Sequence, residues 1–447
     1  MLTAKASRFL LVLFTLVALA ALAFAACDDE EEEEGVTPAE GETPAVAALG
    51  DVDVLAIWGG AELESFEAMV APWEAETGGE MDFVGTRDIT SLLTLNIEGG
   101  TPPDVATPAE VGLFQQFARA GDIVPLSECS GLEDTIKANY PQGFIDLGTV
   151  DGTLYGFFMK ADTKGTIFYN PGFFADSGYE PLTAASTFDD LIALSDQILA
   201  GGTPPWTNGQ FANGGTGFPG SDTIQQILLN DAGADVYDGA IDGTVPFTDP
   251  AMKDAWEKFG QLALTDGYVV QGGADAISAT GFIDSSYPPF ESPPTAAMLH
   301  MGGFASGFVS EQFPDAAAGE DYSFFTWPGG GVTGGANIVY AFNSDETTCS
   351  FLSHLASAEA QQVWVDRGGF TSVNTQVSLD SYPDTVARAQ AEQLTTAEVF
   401  RFDLDDAIGG ALQTAFFTGV TDYLADPASL DAILAGIEAA RTEEAEE

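Results

Sequence analysis

From Val52 onward the chain alternates short apolar runs with longer stretches in which apolar residues recur every three or four positions. Val52-Asp53-Val54-Leu55-Ala56-Ile57-Trp58 predicts a buried first strand, ended by Gly59-Gly60. Leu63, Phe66, Met69, Val70 and Trp73 then share one face of a helix over residues 62–76, which Thr77-Gly78-Gly79 stops. Met81 to Val84 reads as a second strand, residues 89–97 as a second helix closed by Gly99-Gly100, residues 104–107 as a third strand, and residues 111–120 as a third helix. Strand and helix in strict alternation is the pattern of a parallel α/β sheet.

Farther along, residues 152–156, 165–169 and 336–342 read as strands. Residues 188–199, 251–263, 351–365, 383–394, 412–424 and 430–440 read as helices. Two stretches, 201–220 and 272–294, are rich in Gly, Pro and aromatics and read as loop. There is no internal repeat. The body from Asp51 to Arg441 is near 400 residues, which predicts two domains. An apolar content of 45% supplies ample core material, so the composition is globular.

The N-terminus departs from this pattern. Lys5 and Arg8 precede an uncharged apolar run, Phe9 to Ala26, which ends in Phe24-Ala25-Ala26-Cys27. Small residues before a cleavage point predict a signal peptide over residues 1–26. The same run is also long enough to just span a bilayer as an uncleaved helix. Residues 27–50 open with seven consecutive acids, Asp28 to Glu34, and form a self-repelling tether that buries no core. Residues 442–447 form a charged tail.

Charge then excludes several classes of partner. The chain carries 69 acids against 13 Lys and Arg. With no basic surface to release counterions, nucleic-acid binding is excluded, as is direct attraction to anionic lipid. Repulsion of this size points to a saline setting, where screening is short-ranged. Acidity is also common in extracellular proteins. Two His, with no HExxH and no CxxC, leave no metal signature and no cofactor motif. Cys129 and Cys349 remain as a candidate disulfide, and their separation of 220 residues leaves open whether they meet.

Several stretches in order resemble one family. They are "FEAMVAPWEAETG" from Phe66, "GTRDITSLLTLNIEGG" from Gly85, "TPPDV" from Thr101, "AGDIVPL" from Ala120, "VDGTLYG" from Val150 and "IFYNPGF" from Ile167. Ser357 to Val363 and Gly368-Gly369-Phe370 continue the series. Together they resemble the extracellular solute-binding proteins of ABC importers. Thr86-Arg87-Asp88, "TPPW" ending at Trp206, and "VFRFD" from Val399 resemble the carbohydrate-binding, α-glucoside-like branch. Cys27 after small residues resembles a bacterial lipobox, with Phe24 where Leu is usual.

The resemblance implies a two-lobed, type II periplasmic-binding-protein-like α/β fold with its ligand in a cleft between lobes joined by hinge strands. It implies lobe one at 51–164 plus 326–370 and lobe two at 165–325 plus 371–441. It also implies a monomer, anchored by lipid on Cys27 at the outer membrane face or in the periplasm. There it would capture a carbohydrate and deliver it to a membrane permease.

A sugar site wants aromatic faces for stacking, with amides, carboxylates and Arg for the hydroxyl rim. Loops at the C-terminal ends of parallel strands are where such groups collect. On that ground Trp58 and Glu62 follow the first strand, Arg87 and Asp88 the second, and Glu110 the third. Trp206, Phe218 and Asp222 lie in or beside the loop-rich stretch. Alignment with the resembled family adds Phe304; Asn337 follows Gly334-Gly335, which allow close backbone approach, and Phe370, Phe402 and Asp403 are late candidates. Each has a bland alternative: core packing for the aromatics, helix-start placement for Glu62 and a surface ion pair for Arg87.

The competing class is a secreted glycoside hydrolase, which needs two positioned carboxylates. With 69 acids such pairs can be chosen at will, so their presence decides nothing. The chain has no GxSxG and no P-loop, and a binder without enzymatic activity is the expected class. A binder of a non-sugar solute stays open. A scaffold or adhesion protein would carry repeats, which this chain lacks.

Overall fold

A computed structural model describes residues 49–444. The expected signal peptide, Cys27 and nearly all of the tether lie outside the described residues, as does the end of the tail. No helix among the described residues is long and apolar enough to cross a membrane.

The first three strands form where the alternation predicts: β1 (Val52–Ala56), β2 (Met81–Gly85) and β3 (Val105–Thr107). β1 pairs in parallel with both neighbours. The intervening helices, Ala61–Thr77, Ile89–Glu98 and Val111–Ala120, match the apolar periodicity to within a residue or so. A hairpin of β4 (Thr149–Val150) and β5 (Thr153–Leu154) follows. The expected strand at 152–156 is its second half.

Two long elements escaped the periodicity. β6 (Gly156–Thr163) is buried at all eight positions, although Lys160 and Asp162 lend it the polarity of a surface segment. The helix Phe218–Ala232 begins inside the stretch read as loop. It is buried from Pro219 to Leu229, so polar and apolar residues alike face packed neighbours and no amphipathic stripe marks it. The single helix expected over 351–365 is two helices, Glu346–Leu355 and Ala358–Val365. Ser357 divides them, its hydroxyl capping Ala360 N–H.

The remaining strands are β7 (Thr166–Tyr169), β8 (Trp206–Thr207), β9 (Met298–His300), β10 (Ser323–Thr326), β11 (Val332–Ala341), β12 (Thr371–Ser372) and β13 (Phe400–Phe402). They complete two sheets. The first runs β12-β6-β11-β3-β1-β2, with β13 alongside β11; the second runs β10-β7-β9-β8. Each sheet has its own apolar core. One gathers Phe66, Trp73, Phe158 and Trp364, and another Tyr237, Trp256, Phe259 and Phe416, with a smaller cluster around Phe168 and Phe308 beside it. The molecule is thus two α/β lobes.

The chain crosses between the lobes at three places that lie against one another. β6 passes into β7 through Lys164-Gly165, β10 passes into β11 through Trp327 to Gly331, and β13 passes into the helix Leu404–Ile408. Lys164 N–H donates to Thr333 C=O (2.8 Å), Trp327 N–H to Gly165 C=O (2.9 Å) and Asp403 N–H to Gly334 C=O (2.9 Å). The third crossing comes later than the expected boundary at 371. β12 pairs with β6, and Val373, Tyr382 and Phe402 pack in the first core, so residues 371–402 stay mainly with the first sheet. Cys129 and Cys349, both at the first core, form a disulfide.

Candidate functional site

The C-terminal end of β1, the loops after β2 and β3, and the crossing segments converge on one cavity of about 120 Å³. Its wall includes Trp58, Glu62, Arg87 and Glu110 from the first lobe, and Ala212, Gly215, Phe218 and Phe304 from the second. Lys160, Asp162, Lys164 and Asn337 come from the strands between them, and Asp405, Asp406, Gln413 and Phe417 from the segment after the third crossing.

Two charge networks organise it. In the first, Lys160, only 2% exposed, donates to Glu62 Oε1 (3.1 Å) and Asp162 Oδ2 (2.9 Å), while Arg87 Nη2 donates to Glu62 Oε2 (3.2 Å). Burial disfavours the Lys160 ammonium, but Asp162 and Glu62 outweigh it and hold Lys160 above its ordinary value. The Arg87 guanidinium also lies 5.3 Å from the centre of the Phe282 ring in the second lobe.

The second network surrounds Lys164. Its Nζ donates to Asp222 Oδ1 at 2.8 Å and to Asp403 Oδ2. Asp405 accepts from Ser221 and Gln225, and Asp406 from Gln413. Burial pushes the Asp222, Asp405 and Asp406 carboxyls up to about 7; Asp406 adds to the rise at Asp405, and Lys164 opposes it at all three. Burial likewise raises Glu110 and Asp162. Asp222, Asp403 and Asp405 each bring an oxygen within 4.8 Å of the others, a spacing that a metal ion could bridge. Lys164 already bonds two of these three, and so serves as their cation.

Among the described residues Trp58 Nε1 and Asn337 Nδ2 are buried donors with no hydrogen-bond partner, and both residues border the cavity. A buried donor left unpaired costs on the order of 1–3 kcal/mol. A hydroxylated ligand would satisfy such donors, while Glu110, Asp405 and Asp406 supply acceptors. Phe218 and Phe304 give apolar faces, each with a lysine nearby: Lys164 Nζ is 6.0 Å from the Phe218 ring and Lys160 Nζ 5.7 Å from the Phe304 ring.

Seven of the sequence candidates therefore meet at one cavity: Trp58, Glu62, Arg87, Glu110, Phe218, Phe304 and Asn337. Trp58 is also core, its ring 4.8 Å from Phe66 and 5.0 Å from Trp364. The other six do not line it. Trp206 is buried in the second core with Nε1 bonded to Ser195 Oγ. Phe370 packs 4.9 Å from Trp364, and Phe402 packs 5.7 Å from Phe158. Asp88 precedes the helix Ile89–Glu98 at the exposed rim, where Gly214 packs on it. Asp222 and Asp403 lie behind the wall, bonded to Lys164, which lines the cavity. Sequence reasoning missed Lys160, Asp162, Lys164, Asp405 and Asp406. The one signal for the lysines was scarcity, since a chain with 13 Lys and Arg placed two of them in or next to an apolar strand.

Residues 68–395 match a family profile described as bacterial extracellular solute-binding protein. The chain is 31% identical over 380 residues to the osmoprotective compounds-binding protein GgtB of Synechocystis sp., spanning 83% of this chain and 88% of that one. It is also 31% identical over 400 residues to the alpha-glucosides-binding periplasmic protein AglE of Rhizobium meliloti, spanning 86% and 85%. Among solved structures, a chitin oligosaccharide binding protein superimposes with a TM-score of 0.76 at 18% identity, covering 89% of this chain and 98% of that one.

Proposed function

The chain belongs to the bacterial extracellular solute-binding family, and on that footing we propose that it captures a sugar, an α-glucoside or short oligosaccharide, for a membrane permease of an ABC importer. The observation that carries this reading is the interlobe cavity, where the unpaired donors of Trp58 and Asn337 stand among buried carboxylates and the rings of Phe218 and Phe304. A sugar presents hydroxyls that both donate and accept, together with apolar C–H faces, and this wall answers each. One relative bears the name of α-glucosides, in keeping with this ligand class.

Capture needs no chemistry from these groups. Their role is to replace the water around the ligand as the lobes close by a hinge motion. The crossing segments are hydrogen-bonded to one another, which suits a hinge. We further propose that Cys27 is lipidated after removal of residues 1–26, leaving the acidic stretch up to Gly50 as a tether within reach of the permease. Mass spectrometry of the membrane fraction, with Cys27→Ala released to the soluble fraction, tests the anchor.

Isothermal titration of the mature protein with mono- and disaccharides, at low and high salt, tests the ligand class. Saturable binding of a glucoside without turnover supports the proposal. Hydrolysis of the sugar, or no carbohydrate binding at any salt, would overturn it. A second reading, an osmoprotective solute, is favoured by the net charge of −56, which suits a saline setting, and by the name of the other relative. The same titration with non-sugar osmolytes separates the two.

A further inference from the structure

The two lobes meet at a seam on the rim of the cavity, where Arg87 of the first lobe lies against Phe282 of the second. The guanidinium carbon stands 5.3 Å from the centre of the Phe282 ring. One residue farther on, a Cβ built on Gly214 would stand 3.1 Å from Asp88 Cβ, so the chains are in contact there as well.

Each partner in this contact is held by its own lobe. Arg87 Nη2 donates to Glu62 Oε2 at 3.2 Å, and Lys160 holds the other oxygen of Glu62 at 3.1 Å. On the far side, Phe282 N–H donates to Phe211 C=O at 3.1 Å. Phe282 C=O accepts from the hydroxyls of Ser285 (2.8 Å) and Ser286 (3.1 Å). The Phe282 ring is buried edge-on against Phe218 at 5.1 Å and Phe308 at 5.8 Å. Neither side chain therefore needs the other to be positioned. A guanidinium is planar and weakly hydrated, so it stacks on an aromatic face at little desolvation cost. The attraction grows as water is excluded from the contact.

Glu62, Arg87 and Phe218 border the cavity, whereas Phe282 is not among the described residues that do. The contact joins the cavity wall of one lobe to that of the other through Glu62, Arg87, Phe282 and Phe218 in turn. It exists only when the lobes are together.

We infer that Phe282 is a positioning residue for solute capture: its ring docks Arg87 as the lobes close and latches them over the cavity. The inference rests on capture by lobe closure and not on which solute is held. Phe282 acts through Arg87 and Phe218 rather than by touching the solute.

The test measures closure without any ligand. In the mature protein, Asp88→Cys with Gly214→Cys places two thiols across the seam, close to the roughly 3.5–4.5 Å Cβ separation of a disulfide. Mass spectrometry of the cross-linked peptide then follows how fast the closed form is trapped under a mild oxidant. In this background Arg87→Met keeps the length of the side chain and removes its charge, and Phe282→Leu keeps apolar bulk and removes the ring. Each should slow trapping about tenfold, the size expected of a desolvated cation–ring contact. Arg87→Lys, which keeps the cation, should retain most of the rate. Arg87→Met and Phe282→Leu together should be no slower than either alone, because both remove one contact. Thermal melts confirm folding; should Phe282→Leu fail to fold, Arg87→Met against Arg87→Lys decides. An unchanged rate in Arg87→Met, equal slowing in Arg87→Lys, or losses that multiply in the double variant would overturn the latch. Failure of every sugar to bind the unaltered protein would overturn the proposed ligand class and leave this measurement standing.

Discussion

Lys164 lies between two aspartates that the sequence separates widely: its Nζ donates both to Asp222, 58 residues away, and to Asp403, 239 residues away. Lys164 lies in the first crossing, Asp222 in the helix Phe218–Ala232 and Asp403 at the third crossing. One ammonium thus ties two crossings to the second lobe.

Lys164→Met removes the counter-charge of this buried cluster. Breaking a buried pair by deleting one partner costs about 3–5 kcal/mol, because the remaining charges stay buried and uncompensated. Chemical denaturation should show a loss of that order at pH 8. The double variant with Asp222→Asn should recover part of it.

Glu62→Gln has a different expected signature. Lys160 keeps Asp162, so the fold should hold to within about 1 kcal/mol, whereas Arg87 loses the carboxylate it pairs with at the cavity wall. Ligand affinity should fall about tenfold, or about 1.4 kcal/mol, by calorimetry. A stability loss as large as that of Lys164→Met would mean that Glu62 serves the fold rather than the ligand.

Stability should depend on pH through Asp405 and Asp406. Their carboxyls are raised from 3.8 to about 7 in the folded protein, chiefly by burial, so the folded state binds more protons than the unfolded state between those values. Their contribution is fully present below about pH 4 and is lost as pH rises through about 7. Scanning calorimetry from pH 4.5 to 8, in high salt to screen the surface acids, should show a falling Tm. Asp406→Asn should flatten that slope and raise Tm at pH 8.

The Cys129–Cys349 bridge joins two points of the first lobe that lie 220 residues apart in the chain, and the loop it closes includes most of the second lobe. Cross-links of this kind contribute about 2–4 kcal/mol, largely by restricting the unfolded chain. Reduction, or Cys349→Ser, should lower Tm while leaving ligand affinity within twofold.

The edges of the first three strands and helices were legible because a half-buried element writes its period into the chain, as Leu63, Phe66, Met69, Val70 and Trp73 do. Trp58, Glu62, Arg87 and Glu110 were legible for the same reason: they follow strands whose ends could be read. Trp206, Phe370 and Phe402 were misplaced because a buried aromatic and a ligand-facing aromatic are the same letter in the same local pattern.

Local pattern by itself determined the α/β alternation of the first lobe and a body large enough for two domains, since both follow from residues near one another in the chain. Only the tertiary structure decided that β6 is a fully buried strand, and that its Lys160 and the adjacent Lys164 find their carboxylates at Glu62, Asp162, Asp222 and Asp403. A buried charge is tolerated only beside its partner. Three of those four partners come from distant segments, and no periodicity within β6 encodes where the chain will bring them.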